Sequence, residues 1–223
     1  VGDPVDMIAS GPVSPDSSTC ADALAVAEKY ALRLSDRAQE LLTRETPKTA
    51  DNVAVRITGS VRELCAAAAE ACRERGYAPE ILTDCEQGVA REVGARLGAL
   101  ARENAAANTP RAFILGGETV VRLTGNGKGG RNQELALAAA AEIANLPNAV
   151  VFSVGSDGTD GPTDAAGGLV DGGTVERLAA AGKTVADVLT DNDAYHALRD
   201  TGDLIITGPT GTNVNDFAAA LVR

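Results

Sequence analysis

The sequence predicts an α/β protein in which helices flank a mostly parallel sheet. Three observations carry that expectation. Helix-period and strand-period apolar patterns alternate along the 223 residues, with short glycine-rich punctuation between them. Hydrophobic residues make up 44% and charged residues 23%, the composition of a chain that buries a core. No apolar run approaches the roughly 18 residues of a membrane span and no signal peptide is evident, so a cytoplasmic protein is expected.

The elements follow in order. Val5–Ala9 is a short apolar strand closed by Ser-Gly-Pro, and the start at Val1 without an initiator Met reads as a fragment of a longer protein. Thr19 can cap a helix running to Leu34, and a second helix spans Asp36–Arg44 before Thr46-Pro47. Asn52–Thr58 alternates like a strand. Ser60-Val-Arg-Glu63 is a capping box opening a helix with Leu64, Ala68 and Cys72 on one face, ended by Gly76. Glu80–Thr83 is a strand, Gly88–Asn104 a helix with Val89, Val93, Leu97 and Leu100 on one side, and Ala105–Pro110 a linker. Arg111–Leu115 and Thr119–Leu123 read as strands, Asn132–Ala144 as a helix, and Ala149–Val154 as a buried strand. Helices at Thr174–Ala181 and Asp193–Asp200, the strand Asp203–Thr207 and the apolar segment Phe217–Val222 complete the chain.

Composition excludes several functions. Twenty basic residues stand against 31 acidic ones, and there are three Tyr, three Phe and no Trp. A single-strand nucleic-acid platform needs a basic groove and stacking aromatics, so nucleic acid is not an expected partner. One histidine, His196, rules out a multi-His metal site, and Cys20, Cys65, Cys72 and Cys85 show no CxxC spacing. His196 reads as a surface or packing residue, and Asn192-Asp193 as a helix cap.

Charge is partitioned unevenly. Residues 111–131 carry Arg111, Arg122, Lys128 and Arg131 against Glu118 alone, a cationic stretch inside an anionic chain. Within it, Gly125-Asn-Gly127-Lys128-Gly129-Gly130-Arg131 follows a predicted strand and opens a predicted helix. Glycines there let backbone N–H groups approach an anion, with Lys128 or Arg131 supplying charge. Gly125, Gly127 and Gly130 also satisfy the dinucleotide string GxGxxG, although the acid that should bind a ribose is not cleanly placed. No P-loop is present, because Arg177 stands where the first glycine before Gly182-Lys-Thr184 is required, and Gly182 reads as a helix C-cap.

Two further loops sit at strand ends, where open α/β sheets bind ligands. Gly155–Asp164 offers Asp157, Asp160 and Asp164, a carboxylate set suited to Mg²⁺ or to accepting a hydroxyl proton. Thr207–Asp216 offers hydroxyls and amides (Thr210, Thr212, Asn213, Asn215) and the carboxylate of Asp216. Ser10-Gly11-Pro12 ends a strand and could line the same cleft.

These motifs carry a family likeness. Gly116-Gly-Glu-Thr-Val120, Gly127–Leu137, Thr159–Gly167 and Thr207–Asp216 together resemble the MOFRL region of class II glycerate kinases, many of whose members are labelled hydroxypyruvate reductase. Ser10-Gly-Pro12 and Glu45-Thr-Pro-Lys48 are similar to that family's N-terminal domain. One departure is Ser156, where the family more usually has threonine. A larger one is an upstream half, with a lysine implicated in catalysis, that has no counterpart here.

The resemblance implies a Rossmann-like α/β/α domain, of which residues 1–107 would be the C-terminal part, followed by a mixed α/β MOFRL domain at 108–223. It implies ATP-dependent phosphorylation of D-glycerate to 2-phosphoglycerate with Mg²⁺, with a homodimer as a compatible assembly. Arg131, Asp157 and Asp160 would be catalytic, the two aspartates also holding metal. Gly125, Gly127, Lys128, Gly129, Gly130, Thr210, Thr212 and Asn213 would bind nucleotide, and Ser10, Gly11, Asp164, Asn215 and Asp216 the substrate. The alternative is an NAD(P)H-dependent hydroxypyruvate reductase using the GxGxxG string.

Overall fold

A computed structural model describes residues 2–223; Val1 lies outside the described residues. The chain divides into two compact units, Asp3–Thr58 and Gly59–Arg223. The boundary expected at 107/108 therefore falls inside the second unit, whose single sheet takes strands from both sides of it.

The first unit holds a 3-10 turn, Ile8–Ser10, and two short helices, α1 (Cys20–Lys29) and α2 (Asp36–Leu41). Thr19 and Asp22 form a full capping box on α1, and the Ser35 hydroxyl accepts the Ala38 N–H to start α2. Two expected strands are absent. At Val5–Ala9 the Pro4 carbonyl accepts N–H groups from Met7 and Ile8, turning the chain instead of extending it. Asn52–Thr58 finds no neighbouring strand and stays unpaired. The α1 helix also stops before Leu34, because Ala31 is left-handed at φ 49°.

The second unit is a six-stranded sheet with helices on both faces. Its strands are β1 (Ala78–Glu86), β2 (Arg111–Gly117), β3 (Ala149–Gly155), β4 (Gly167–Asp171), β5 (Leu204–Ile205) and β6 (Asp216–Val222), in the order β1-β2-β6-β3-β4-β5. The mostly parallel sheet expected from the alternation is corrected: among the named strands only β1 and β2 pair in parallel. Strand β6 inserts between β2 and β3 running opposite to both, and β4 runs opposite to both β3 and β5. Thr119–Leu123 is not a strand either; it makes one bridge, Val120 to Val89.

The helices are α3 (Val61–Glu74), α4 (Ala90–Glu103), α5 (Arg131–Glu142), α6 (Thr174–Ala180), α7 (Val185–Asp191) and α8 (Ala194–Thr201). Period-two alternation divides the core. Ile114, Phe217 and Ala219 face α3 through Val61, Cys65 and Ala69, while Phe113, Leu115, Ala218 and Ala220 belong to the cluster around α4 and α5. Helix α5 is buried throughout its first nine turn-forming residues after Arg131, from Asn132 to Ala140. It lies hard against α4: a Cβ at Gly94 would stand 2.0 Å from the Leu135 carbonyl oxygen, and one at Gly98 2.9 Å from that of Ala139. Among the described residues no helix is long and apolar enough to cross a membrane.

Candidate active site

Strand register gathers the site. Glu86 pairs with Gly117, Gly117 with Asp216, and Asp216 with Gly155, so one row crosses the sheet at the carboxyl ends of β1, β2 and β3 and the start of β6. The loops after β2, after β3 and before β6 therefore leave from the same edge. All three are the loops singled out from the sequence.

Arg131, the first residue of α5, reaches this row. Its Nε and Nη2 donate to the two carboxylate oxygens of Asp216 at 2.5 and 3.1 Å, and Nη1 lies 3.2 Å from Glu118 Oε1. The forked contact fixes the guanidinium plane in a way one ammonium could not. Burial pushes the Asp216 carboxyl up and the fork with Arg131 pulls it back, while Asp216 holds the guanidinium more firmly protonated. Two carboxylates surround one cation, so the cluster contributes fixed geometry with a net negative charge.

The cations of this stretch are each partnered, three by carboxylates and one by a ring. Arg111 pairs with Glu80, Arg122 lies 4.0 Å from Glu92, and the Lys128 ammonium rests 4.5 Å above the Tyr195 ring. The glycine loop is occupied too. N–H groups of Thr124 and Gly125 donate to Asn192 Oδ1, that of Asn126 to Asp191 Oδ1, that of Gly127 to the Asp191 carbonyl and that of Lys128 to Asp193 Oδ1. Side chains at Gly125 or Gly127 would collide with the Asp191 backbone. These glycines are needed for docking on the α7–α8 corner, and their N–H groups do not cradle a phosphate. Between Thr124 and Arg131, only the N–H groups of Gly129, Gly130 and Arg131 find no acceptor among the described residues.

Asp160 carries a different load from the one expected. It is 3% exposed, and its carboxylate accepts the backbone N–H groups of Asn132 and Gln133 and both their side-chain amides at 2.9–3.2 Å. A residue 27 positions downstream thus caps α5, whose own N-cap is a glycine with no side chain to offer. A Cβ at Gly130 would lie 2.3 Å from the Asp160 carboxyl carbon, which is why glycine stands there. Burial pushes this carboxyl up, and the four donors oppose the shift. With both oxygens committed, Asp160 does not fit the catalytic and metal-holding roles expected of it.

Asp157 does fit a cation. Its Oδ1 accepts from the N–H and hydroxyl of Thr159, and its Oδ2 meets only Asn213 Nδ2 at 3.5 Å. A side chain at Gly155 would stand 2.5 Å from the Thr159 carbonyl oxygen, so the turn that carries Asp157 requires glycine there, with Asp157 Oδ1 and Asp216 Oδ1 farther off at 3.2 and 3.6 Å. Mg²⁺ commonly takes one or two carboxylates and completes its shell with water and phosphate. Among the described residues no group of three His, Cys, Asp or Glu side chains forms a metal cage.

The remaining expected residues fall in three places. Thr210 ties the last two loops together: its N–H donates to the Asp157 carbonyl and its hydroxyl to that of Ser156. Asn215, left-handed at φ 67°, donates to Glu118 Oε2, and Thr212 and Asn213 are exposed on the same loop. Asp164 lies apart at the surface, accepting the Tyr195 hydroxyl at 2.8 Å. Ser10 and Gly11 belong to the Asp3–Thr58 unit, where they are left-handed at φ 66° and 61°.

Three residues were not singled out as site residues: Glu118, Glu134 and Asn192. Glu134 is 2% exposed, gripped by Arg91 at 2.9 and 3.1 Å. Its spacing from Arg91 in sequence gave no signal. Beside it opens a cavity of about 510 Å³. Val120, Val121, Leu123 and Pro162 form its apolar side, and Gly129, Gly130 and Arg131 its polar end.

A mixed α/β sheet that presents three loops and a fixed guanidinium at one edge, beside a cavity with an apolar side, has the build of a ligand-binding α/β enzyme. Comparison with known proteins sharpens this. Residues 111–216 match the MOFRL family, and residues 1–43 match a domain of unknown function, DUF4147. The chain is 47% identical to a D-glycerate 2-kinase of Thermotoga maritima, covering 100% of this chain and 54% of that protein. It is 34% identical to a glycerate kinase of Macaca fascicularis, covering 100% of this chain and 70% of that protein. A relative from Agrobacterium vitis, 36% identical over 99% of this chain and 52% of its own length, is named putative hydroxypyruvate reductase. The crystal structure of a glycerate kinase from Thermotoga maritima superposes with a TM-score of 0.94 at 46% identity, covering 100% of this chain and 55% of that one. The chain belongs to the MOFRL-containing glycerate kinase family, and it spans about half the length of the first of these relatives.

Proposed function

We propose that the protein to which this chain belongs transfers the γ-phosphoryl group of ATP to the 2-hydroxyl of D-glycerate in the cytoplasm. The observation that carries this reading is the row at the sheet edge, where Asp216 fixes Arg131, together with Asp157 on the next loop, whose Oδ2 meets only Asn213 at 3.5 Å. Phosphoryl transfer asks mainly for positioning and charge neutralisation; these residues supply the positioning, and a cation at Asp157 would supply the neutralisation, without histidine or cysteine chemistry.

In this reading the cavity holds the nucleotide. Its base lies against Val120, Val121 and Leu123, and its phosphates face the free N–H groups of Gly129, Gly130 and Arg131. Arg131 orients the transferring group by its remaining N–H donors. Asp157 would hold Mg²⁺, which would supply the charge neutralisation of the phosphates that the Arg131 cluster, net negative by itself, does not. Thr212, Asn213 and Asn215 face the glycerate, whose attacking oxygen forms the new P–O bond as the bond to ADP breaks and the hydroxyl proton passes to solvent water.

The test is a paired assay on the full-length protein. D-Glycerate, ATP and Mg²⁺ should release ADP and yield 2-phosphoglycerate, while hydroxypyruvate should not oxidise NADH or NADPH. Oxidation of reduced cofactor without glycerate-dependent ADP release would establish the reductase instead. The occupied N–H groups of the Gly125–Lys128 loop speak against a dinucleotide there.

A further inference from the structure

We infer that Asn192 is a positioning residue for the nucleotide, one that holds the rim of the cavity in its binding shape; the inference rests on the reading that this cavity takes the nucleotide. Asn192 lies between α7 and α8 and is 6% exposed, on the cavity wall. Its backbone is left-handed at φ 56°, a conformation asparagine tolerates better than most residues. Every polar atom of its side chain is spent. Oδ1 accepts the Thr124 N–H at 2.7 Å, the Gly125 N–H at 2.9 Å and the Thr124 hydroxyl at 3.3 Å. Nδ2 donates to the Arg122 carbonyl at 3.1 Å and to Glu134 Oε2 at 3.0 Å.

The residue between those contacts is Leu123. It is 80% exposed, so its side chain anchors nothing, yet it forms part of the apolar side of the cavity. Its backbone is held on both flanks by one amide, through the Arg122 carbonyl and the Thr124 N–H, with a longer Arg91 contact to the same carbonyl at 3.5 Å. Glu134 carries that anchorage into α5, which is itself locked by Arg91. A rim fixed before binding spares the ligand the entropy of ordering it, so the benefit falls on nucleotide affinity.

The test uses the full-length enzyme with the variant Asn192→Gly, which keeps the left-handed backbone and removes the amide. The KM for ATP, and its Kd by calorimetry, should rise at least about tenfold, with kcat and the KM for D-glycerate within about threefold of the parent, as expected for lost preorganisation at one ligand. Val120→Trp, which fills the cavity, is the companion. If Val120→Trp abolishes ATP binding while Asn192→Gly keeps the parental KM for ATP, the cavity reading stands and the role of Asn192 is overturned. If Val120→Trp leaves ATP affinity unchanged, the cavity is not the nucleotide site and the inference falls with it. A lowered kcat at unchanged KM, matched by loss of folded protein in the melting curve, would make Asn192 a merely structural residue and also overturn the inference.

Discussion

Removing the Asp160 carboxylate should unfold the start of α5 rather than strip away a metal. In Asp160→Ala, two backbone N–H groups and two side-chain amides lose a buried, charged acceptor. Loss of the cap alone costs about 0.5–2 kcal/mol. Each buried donor left unpaired adds about 1–3 kcal/mol, less whatever water entering the vacated space restores. Relief of the carboxylate's own desolvation, visible in its upward pKa shift, offsets part of this. The net loss should be roughly 3–5 kcal/mol, as for breaking one side of a buried charged contact. At about 2–4 °C per kcal/mol for a domain of this size, the melting temperature should fall by roughly 6–20 °C. Gly130→Ala should act in the same direction, since its methyl group would drive into the same carboxyl. Urea titration followed by circular dichroism reads the stability, and a Mg²⁺ titration of activity in the full-length enzyme reads the metal. A parental unfolding midpoint in Asp160→Ala, combined with a large increase in the Mg²⁺ needed, would refute the capping argument and restore Asp160 as a ligand.

Three other perturbations probe separate parts of the structure. Arg131→Lys in the full-length enzyme keeps the charge but loses the fork on Asp216, and kcat should fall at least roughly 100-fold in steady-state kinetics; near-parental turnover would leave Arg131 as a strut for β6. Gly94→Ala forces a methyl group against the Leu135 carbonyl across the α4–α5 contact and should destabilise by about 1–3 kcal/mol in urea unfolding. A thiol reagent at neutral pH should label the exposed Cys85 in the native chain and leave Cys65 untouched until denaturant is added. Burial pushes the Cys65 thiol up to about 11, so it is protonated as well as inaccessible.

What the sequence made legible is what short-range chemistry decides. The caps at Thr19 and Ser60 start helices where the hydroxyls stand; Thr19 forms a full box with Asp22 where a cap alone was expected, and at Ser60 only the hydroxyl half of the expected box forms. Gly76 and Gly182 end helices with positive φ. Of the three absent strands, Asn52–Thr58 and Thr119–Leu123 have the right period, but a strand exists only where a second strand lies beside it. Helix α7 was missed because it is seven residues long, although Thr184 and Asp187 formed a legible cap. The glycine loop was legible as a tight backbone passage and misread in what it approaches: the α7–α8 corner lies some 65 residues on and is brought there only by the fold. The capping duty of Asp160 was hidden for the same reason, since every rule for helix starts looks at adjacent residues.

The strand that completes the sheet comes last of the six in chain order. Until residues 216–222 leave the ribosome, β1 and β2 form one ribbon and β3, β4 and β5 another, with no backbone ladder joining them. Asp216 arrives with that strand, so the partner that orients Arg131 is also absent until then. Helix α5 can dock beside both ribbons early, but its guanidinium stays unoriented while synthesis continues. Nascent chains of this family should therefore pass through an interval in which β1 to β5 are made, the two ribbons expose unpaired inner edges, and Arg131 lacks its Asp216 partner. Such edges invite pairing with other chains, which makes the interval the natural point of action for a chaperone.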